Sequence, residues 1–177
     1  MVLPSSNIDI DNFKIAFLSK YQFDNDAIRG AVLVTDKETK PLEFRVTEPV
    51  RPTKIQRTLY GEILYDYILV ELIALPLLTA LKEKPNIVIV QDEILINVNQ
   101  KQEIIAIRLL KQEDITYKAN PIQEITSSKF PTLRITTQKG LDKKLTDAKI
   151  QLEKMYSSRD LLEPFQRIHD TCEQLKA

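Results

Sequence analysis

The chain has 177 residues, 43% of them hydrophobic and 28% charged, a balance that supports one domain of ordinary size folding without disulfide staples. Its 25 basic and 25 acidic residues cancel, which excludes a protein that coats nucleic acid by bulk charge and leaves room only for a local basic patch. Three glycines (Gly30, Gly61, Gly140), one cysteine (Cys172) and one histidine (His169) exclude a glycine-rich phosphate loop, a disulfide framework, a paired-cysteine site and most zinc chemistry.

Met1 to Ser6 has no basic segment followed by an apolar core, so no secretory signal is expected and the expected location is the cytoplasm. Residues 1–11 read as an irregular start. Phe13 to Leu18 suits a strand, and so does Ile28 to Val34. Beyond the polar turn from Asp36 to Lys40, Leu42, Phe44 and Val46 alternate with Glu43, Arg45 and Thr47, the pattern of a half-exposed antiparallel strand. Three strands with short links predict a meander.

Pro49 and Pro52 end that strand, and Thr53 with Gln56 three residues on forms a capping box for a helix running to about Leu75. Apolar residues occupy nearly its whole circumference, which predicts a central buried helix, kinked or broken at Pro76 and continuing to Lys82. The apolar stretch from Leu59 to Leu81 is long enough to cross a membrane, but Glu62, Asp66 and Glu71 lie inside it. Each central acid costs on the order of 2.5–3.5 kcal/mol in hydrocarbon, so a buried helix without membrane contact is expected.

Ile87 to Val90 is apolar on both faces, as in an interior strand. Ile94 to Val98 and Ile104 to Leu110 predict a hairpin across Asn99–Glu103. Residues 111–131 read as a long polar connection, and Leu133 to Thr136 as an edge strand. In the tail, Leu141, Leu145, Ala148, Leu152 and Met155 recur at helical spacing, and Leu161, Phe165, Ile168, Cys172 and Leu175 repeat it. Asp160 and Glu163 suggest a second capping box, so two helices are expected, at about 141–156 and 160–176. The fold expected is α+β: a mixed, mainly antiparallel sheet of six or seven strands covered by one long central helix, plus two C-terminal helices. The expected division is a core over residues 1–138 and a helical pair over 139–177.

Candidate sites are few. Arg51, Lys54 and Arg57 surround the predicted helix start at Thr53, where free N–H groups and the helix dipole favour phosphate or carboxylate. Against this, the same three residues can pair with Glu48 and Glu62 on a solvated helix start. Asp92 and Glu93 follow the interior strand, and Glu62 and Asp66 lie one helical turn apart. Such carboxylates suit Mg²⁺ or Mn²⁺ and two-metal phosphodiester hydrolysis, or are simply the polar ends and stripes of apolar elements. His169 and Cys172 share a helical face, with Cys172 in the apolar stripe. Tyr60, Tyr65 and Tyr67 read as core more than as base-stacking residues.

The order of meander, long helix and apolar strand ending at Asp92 resembles the opening of the ribonuclease-H-like fold over residues 12–92, as a likeness of topology. The resemblance implies a metal-binding acid in the first strand, where Phe13 to Leu18 offers Lys14 and no acid, and a helix after Asp92, where the sequence reads as a strand. The function expected first is a non-enzymatic interaction or regulatory module, without a cofactor, that binds a protein partner or itself through the C-terminal helices. The alternative is a nucleic-acid- or nucleotide-binding protein, an active or degenerate relative of the metal-dependent nucleases, with Asp92, Glu62 and Asp66 as metal ligands and Glu93 beside them.

Overall fold

The computed structural model describes residues 12–116 and 119–176, so the expected irregular start at 1–11 lies outside the described residues. Seven strands form one mixed sheet in the order β3-β2-β1-β4-β5-β7-β6. β1 (Ile15–Gln22), β2 (Ile28–Thr35) and β3 (Pro41–Val46) make the expected antiparallel meander. β4 (Ile87–Val90) pairs parallel to β1, and β5 (Ala106–Leu110) pairs parallel to β4. β7 (Leu133–Thr136) and β6 (Ile122–Ile125) complete the sheet in antiparallel pairing.

Period-two alternation divides the core into two layers. Ile15, Phe17, Leu33, Ile89, Ile107 and Ile135 face the two C-terminal helices, Asp142–Tyr156 and Glu163–Leu175. Ala16, Leu18, Val32, Val34, Val88 and Val90 face the long helix, Lys54–Ala80. Both faces being covered explains why β1, β2 and β4 are apolar almost throughout.

The long helix opens on the expected capping box: Thr53 Oγ1 accepts from the Gln56 N–H at 3.1 Å, and Gln56 Oε1 accepts from the Thr53 N–H at 2.9 Å. It differs from the expected buried helix in its first half. No residue from Lys54 to Asp66 is buried, and Ile55, Leu59 and Ile63 are 71%, 77% and 63% exposed. Gly61, at φ 56°, interrupts the regular winding there. The second half is core through Ile68, Leu69, Ile73, Leu77 and Leu78. Helix Lys54–Ala80 contains an 18-residue window of mean hydropathy 1.8 and is long and apolar enough to cross a membrane by length and composition alone. Of its acids, Glu71 pairs with Lys101.

Pro76 does not break the helix. Tyr67–Ala74 winds as a π-helix, with the Leu75 N–H reaching back to Val70 O, and this shifts the hydrogen-bond frame ahead of the residue that has no N–H.

The expected hairpin after β4 is absent. Glu93–Gln100 forms a 3₁₀ helix that buries Leu95, Ile96 and Val98 and carries the chain across to β5. The reason is topological: β4 and β5 are parallel, and a parallel pair needs a crossover where an antiparallel pair needs only a turn. Two further expectations change. Residues 111–131 contain strand β6, and β7 lies inside the sheet with β6 at its edge. Helix Glu163–Leu175 starts without a capping box; Asp160 Oδ1 accepts from the Leu162 N–H at 3.0 Å in the turn before it.

Candidate functional site

In an open sheet with parallel strands, ligands gather at the carboxyl ends of the strands where the chain's direction of winding reverses. Here that point lies between β1 and β4, because the chain builds β2 and β3 on one side of β1 and adds β4 and β5 on the other. β1 extends further than its apolar run predicts, and its carboxyl end brings Lys20 beside Asp92 at the end of β4. Lys20 Nζ lies 2.9 Å from Asp92 Oδ2, both side chains being about one-quarter exposed. Asp92 Oδ1 accepts from the Ile94 N–H at 2.9 Å and so caps the 3₁₀ helix. The Lys20 ammonium also stands 4.6 Å from the centre of the Tyr65 ring, a cation–π contact from the long helix. On the far side of Asp92, Arg108 of β5 donates to Gln91 O at 3.1 Å.

Tyr65 joins this crevice to a cleft of about 380 Å³ between the long helix and the β1–β2 hairpin, lined also by Gln22, Ile28, Pro52, Arg57 and Glu62. Of the expected anion-binding residues Arg51, Thr53, Lys54 and Arg57, all are exposed, and Arg57 lines the cleft together with Pro52 from the same segment. None of Arg51, Lys54 and Arg57 makes an ion pair among the described residues, so the pairing with Glu48 and Glu62 that sequence allows is not formed.

The four carboxylates do not meet at one place. Asp92 is held by Lys20 and the 3₁₀ helix, and Glu62 lines the cleft. Asp66 and Glu93 line a separate polar concavity of about 840 Å³ with Asn97, Gln100, Asn120 and Lys139. Among the described residues no group of three or more Asp, Glu, His or Cys side chains is placed to hold a metal ion. The Mg²⁺ or Mn²⁺ that the resemblance implies therefore does not fit the residues present: the first strand brings an ammonium to Asp92 where two carboxylates are needed to share a cation.

Tyr60, Tyr65 and Tyr67 are half-buried, with Tyr65 and Tyr67 packed against the core under the long helix; Tyr60 and Tyr67 stack at 4.5 Å, and their shared hydrogen bond pushes the Tyr67 hydroxyl pKa up. Cys172 is buried, and desolvation raises its thiol pKa and keeps it protonated. His169 is an exposed flank of the same helix. The candidate site residue that the sequence does not mark is Lys20. No local signal marks it, since its partners Tyr65 and Asp92 are distant in sequence.

No family model matches this chain, and no curated protein matches it. Among solved structures, a similar one is Ciona intestinalis endonuclease V in complex with a 23mer DNA containing an inosine followed by a ribo-adenosine. It shares 11% identity at a TM-score of 0.41, with 71% of this chain and 70% of that chain covered.

The expectation of a non-enzymatic module that binds a protein partner through its C-terminal helices is corrected. The apolar stripes that prompted the expectation are covered by the protein's own sheet: Leu145, Leu152, Leu161, Phe165, Ile168 and Cys172 all lie in one core cluster with β1, β4 and β5.

Proposed function

We propose that this chain binds nucleic acid, with the phosphate backbone on Arg51, Lys54 and Arg57 and a base in the cleft beside Tyr65. The observation that carries the reading is three exposed basic side chains without ion-pair partners among the described residues, one of them, Arg57, lining a cleft that leads through Tyr65 to the carboxyl ends of β1 and β4. Arginine and lysine without partners keep their full attraction for phosphate, and an aromatic ring beside them offers a stacking face to any base. With no net charge on the chain, the attraction is local and falls steeply with salt.

The test is fluorescence anisotropy of a labelled single-stranded oligonucleotide at low salt, with the wild type beside Arg51→Ala/Lys54→Ala/Arg57→Ala. The wild type is expected to bind with a log–log salt slope near about −2, the value for three phosphates on a single strand. The triple variant is expected to lose about tenfold or more in affinity and most of that slope. Equal affinity in both proteins moves the site elsewhere, and no binding by the wild type ends the reading. A mononucleotide that competes as well as the oligonucleotide turns it into a nucleotide sensor.

A further inference from the structure

The crevice at the carboxyl ends of β1 and β4 measures about 310 Å³ and is lined by Leu18, Ser19, Lys20, Gln91, Asp92 and Leu95. Asp92 is its only acid among the described residues, and both carboxylate oxygens are engaged, one by the Ile94 N–H and the other by the Lys20 ammonium. The ammonium is itself braced over the Tyr65 ring. A divalent ion arriving here would have to displace a cation tethered to the neighbouring strand, and would find a single carboxylate to replace its hydration shell. Mg²⁺ and Mn²⁺ bind through several oxygen ligands, so a lone, already paired carboxylate offers little.

We infer that the Lys20 ammonium takes the place of a divalent cation at Asp92, so that the chain holds nucleic acid at this end of the sheet without Mg²⁺ or Mn²⁺ and leaves it intact. The second half of this inference rests on the nucleic-acid reading above; the first half stands on the ion pair alone. Lys20 is a positioning residue in this arrangement: it holds Asp92 as the cap of the 3₁₀ helix and fixes the Tyr65 ring at the edge of the cleft.

The test titrates Mn²⁺ into the full chain and follows the electron paramagnetic resonance signal of the free hydrated ion. The wild type is expected to leave that signal as Asp92→Asn leaves it, whereas Lys20→Asp, which sets two carboxylates side by side, is expected to deplete it. Saturable Mn²⁺ uptake by the wild type that Asp92→Asn abolishes overturns the inference, and so does a folded Lys20→Asp that takes up no Mn²⁺. If Lys20→Asp does not fold, the wild type against Asp92→Asn still decides. In a second arm, oligonucleotide affinity in EDTA and in Mg²⁺ at matched ionic strength is expected to agree within about twofold, with the strand uncut. A tenfold gain with Mg²⁺, or cleavage that Asp92→Asn removes, overturns the inference. Absence of oligonucleotide binding in either buffer overturns the nucleic-acid reading and leaves the manganese arm to judge Lys20.

Discussion

Tyr156 is 1% exposed, stacks on Phe130 at 5.2 Å and donates its hydroxyl to Pro131 O at 2.5 Å. Burial pushes its pKa up to about 12, and the Asp160 carboxylate adds to the rise. A phenol whose folded pKa lies above its unfolded value of about 10 holds its proton more tightly in the folded state. Its contribution is therefore complete below about pH 10 and is lost as the pH climbs from there toward 12. Stability is expected to fall in that window by up to about 1.4 kcal/mol per pH unit from this one group. Tyr156→Phe removes the dependence and costs about 1 kcal/mol at neutral pH for the lost hydrogen bond. Tyr21 and Tyr67 also have raised pKa values, so the measurement is the difference between wild type and variant in urea denaturation across pH 8 to 12. Parallel curves would show that the Tyr156 proton is not held by the fold. The same scale separates the legible residues from the illegible ones. Arg51, Lys54 and Arg57 can be read from sequence because three cations around a capping box are a local pattern. Lys20 is one of many lysines until β1 and β4 lie side by side, and only then does it meet Asp92.

Elements whose partners are near in sequence were legible, and those defined by distant neighbours were not. The meander, the capping box and the two tail helices follow from alternation, a Thr/Gln pair and helical spacing, all signals carried within one segment. Ile94 to Val98, inside the 3₁₀ helix Glu93–Gln100, reads as a strand in sequence because Ile94, Leu95, Ile96 and Val98 are apolar enough for either state. What decides is that β4 is buried on both faces and needs a parallel neighbour, so the segment after it must cross over. β6 is not legible in sequence because Ile122–Ile125 is short and carries one buried residue, and only its pairing with β7 makes it a strand. The packing of β2 on the long helix gives this scale its prediction. A Cβ added at Gly30 would lie 2.1 Å from Ile73 Cγ2 and 3.1 Å from Leu77 Cδ1. Ile73 is β-branched, fixed in a helix and 1% exposed, so it has little room to turn away. Gly30→Ala is expected to destabilise by about 1–3 kcal/mol through overpacking, read as a lowered Tm and urea midpoint with an unchanged m value. An unchanged Tm would mean that the helix rides on the sheet more loosely than the contact implies.

At the scale of the whole molecule, the sheet is covered on both faces, and the C-terminal helices cover one of them. Phe165 meets Phe17 edge-on at 5.4 Å, and Leu145, Leu152, Leu161, Ile168 and Cys172 fill the same layer. Removing one large buried side chain costs about 2–5 kcal/mol, while a domain's total stability is about 5–15 kcal/mol. Deleting residues 141–177 takes away at least six such side chains and bares Ile15, Phe17, Leu33, Ile89 and Ile107 to water at once. The loss exceeds what the remaining layer supplies, even if the exposed face partly collapses. The truncated chain is therefore expected to lose its cooperative far-UV melting transition and to bind a hydrophobic dye at room temperature. Were the tail an arm for a partner, the truncation would instead melt cooperatively as a smaller folded unit and lose only association. The two outcomes differ in the shape of one melting curve, and the burial of Phe165 and its neighbours against β1 predicts the first.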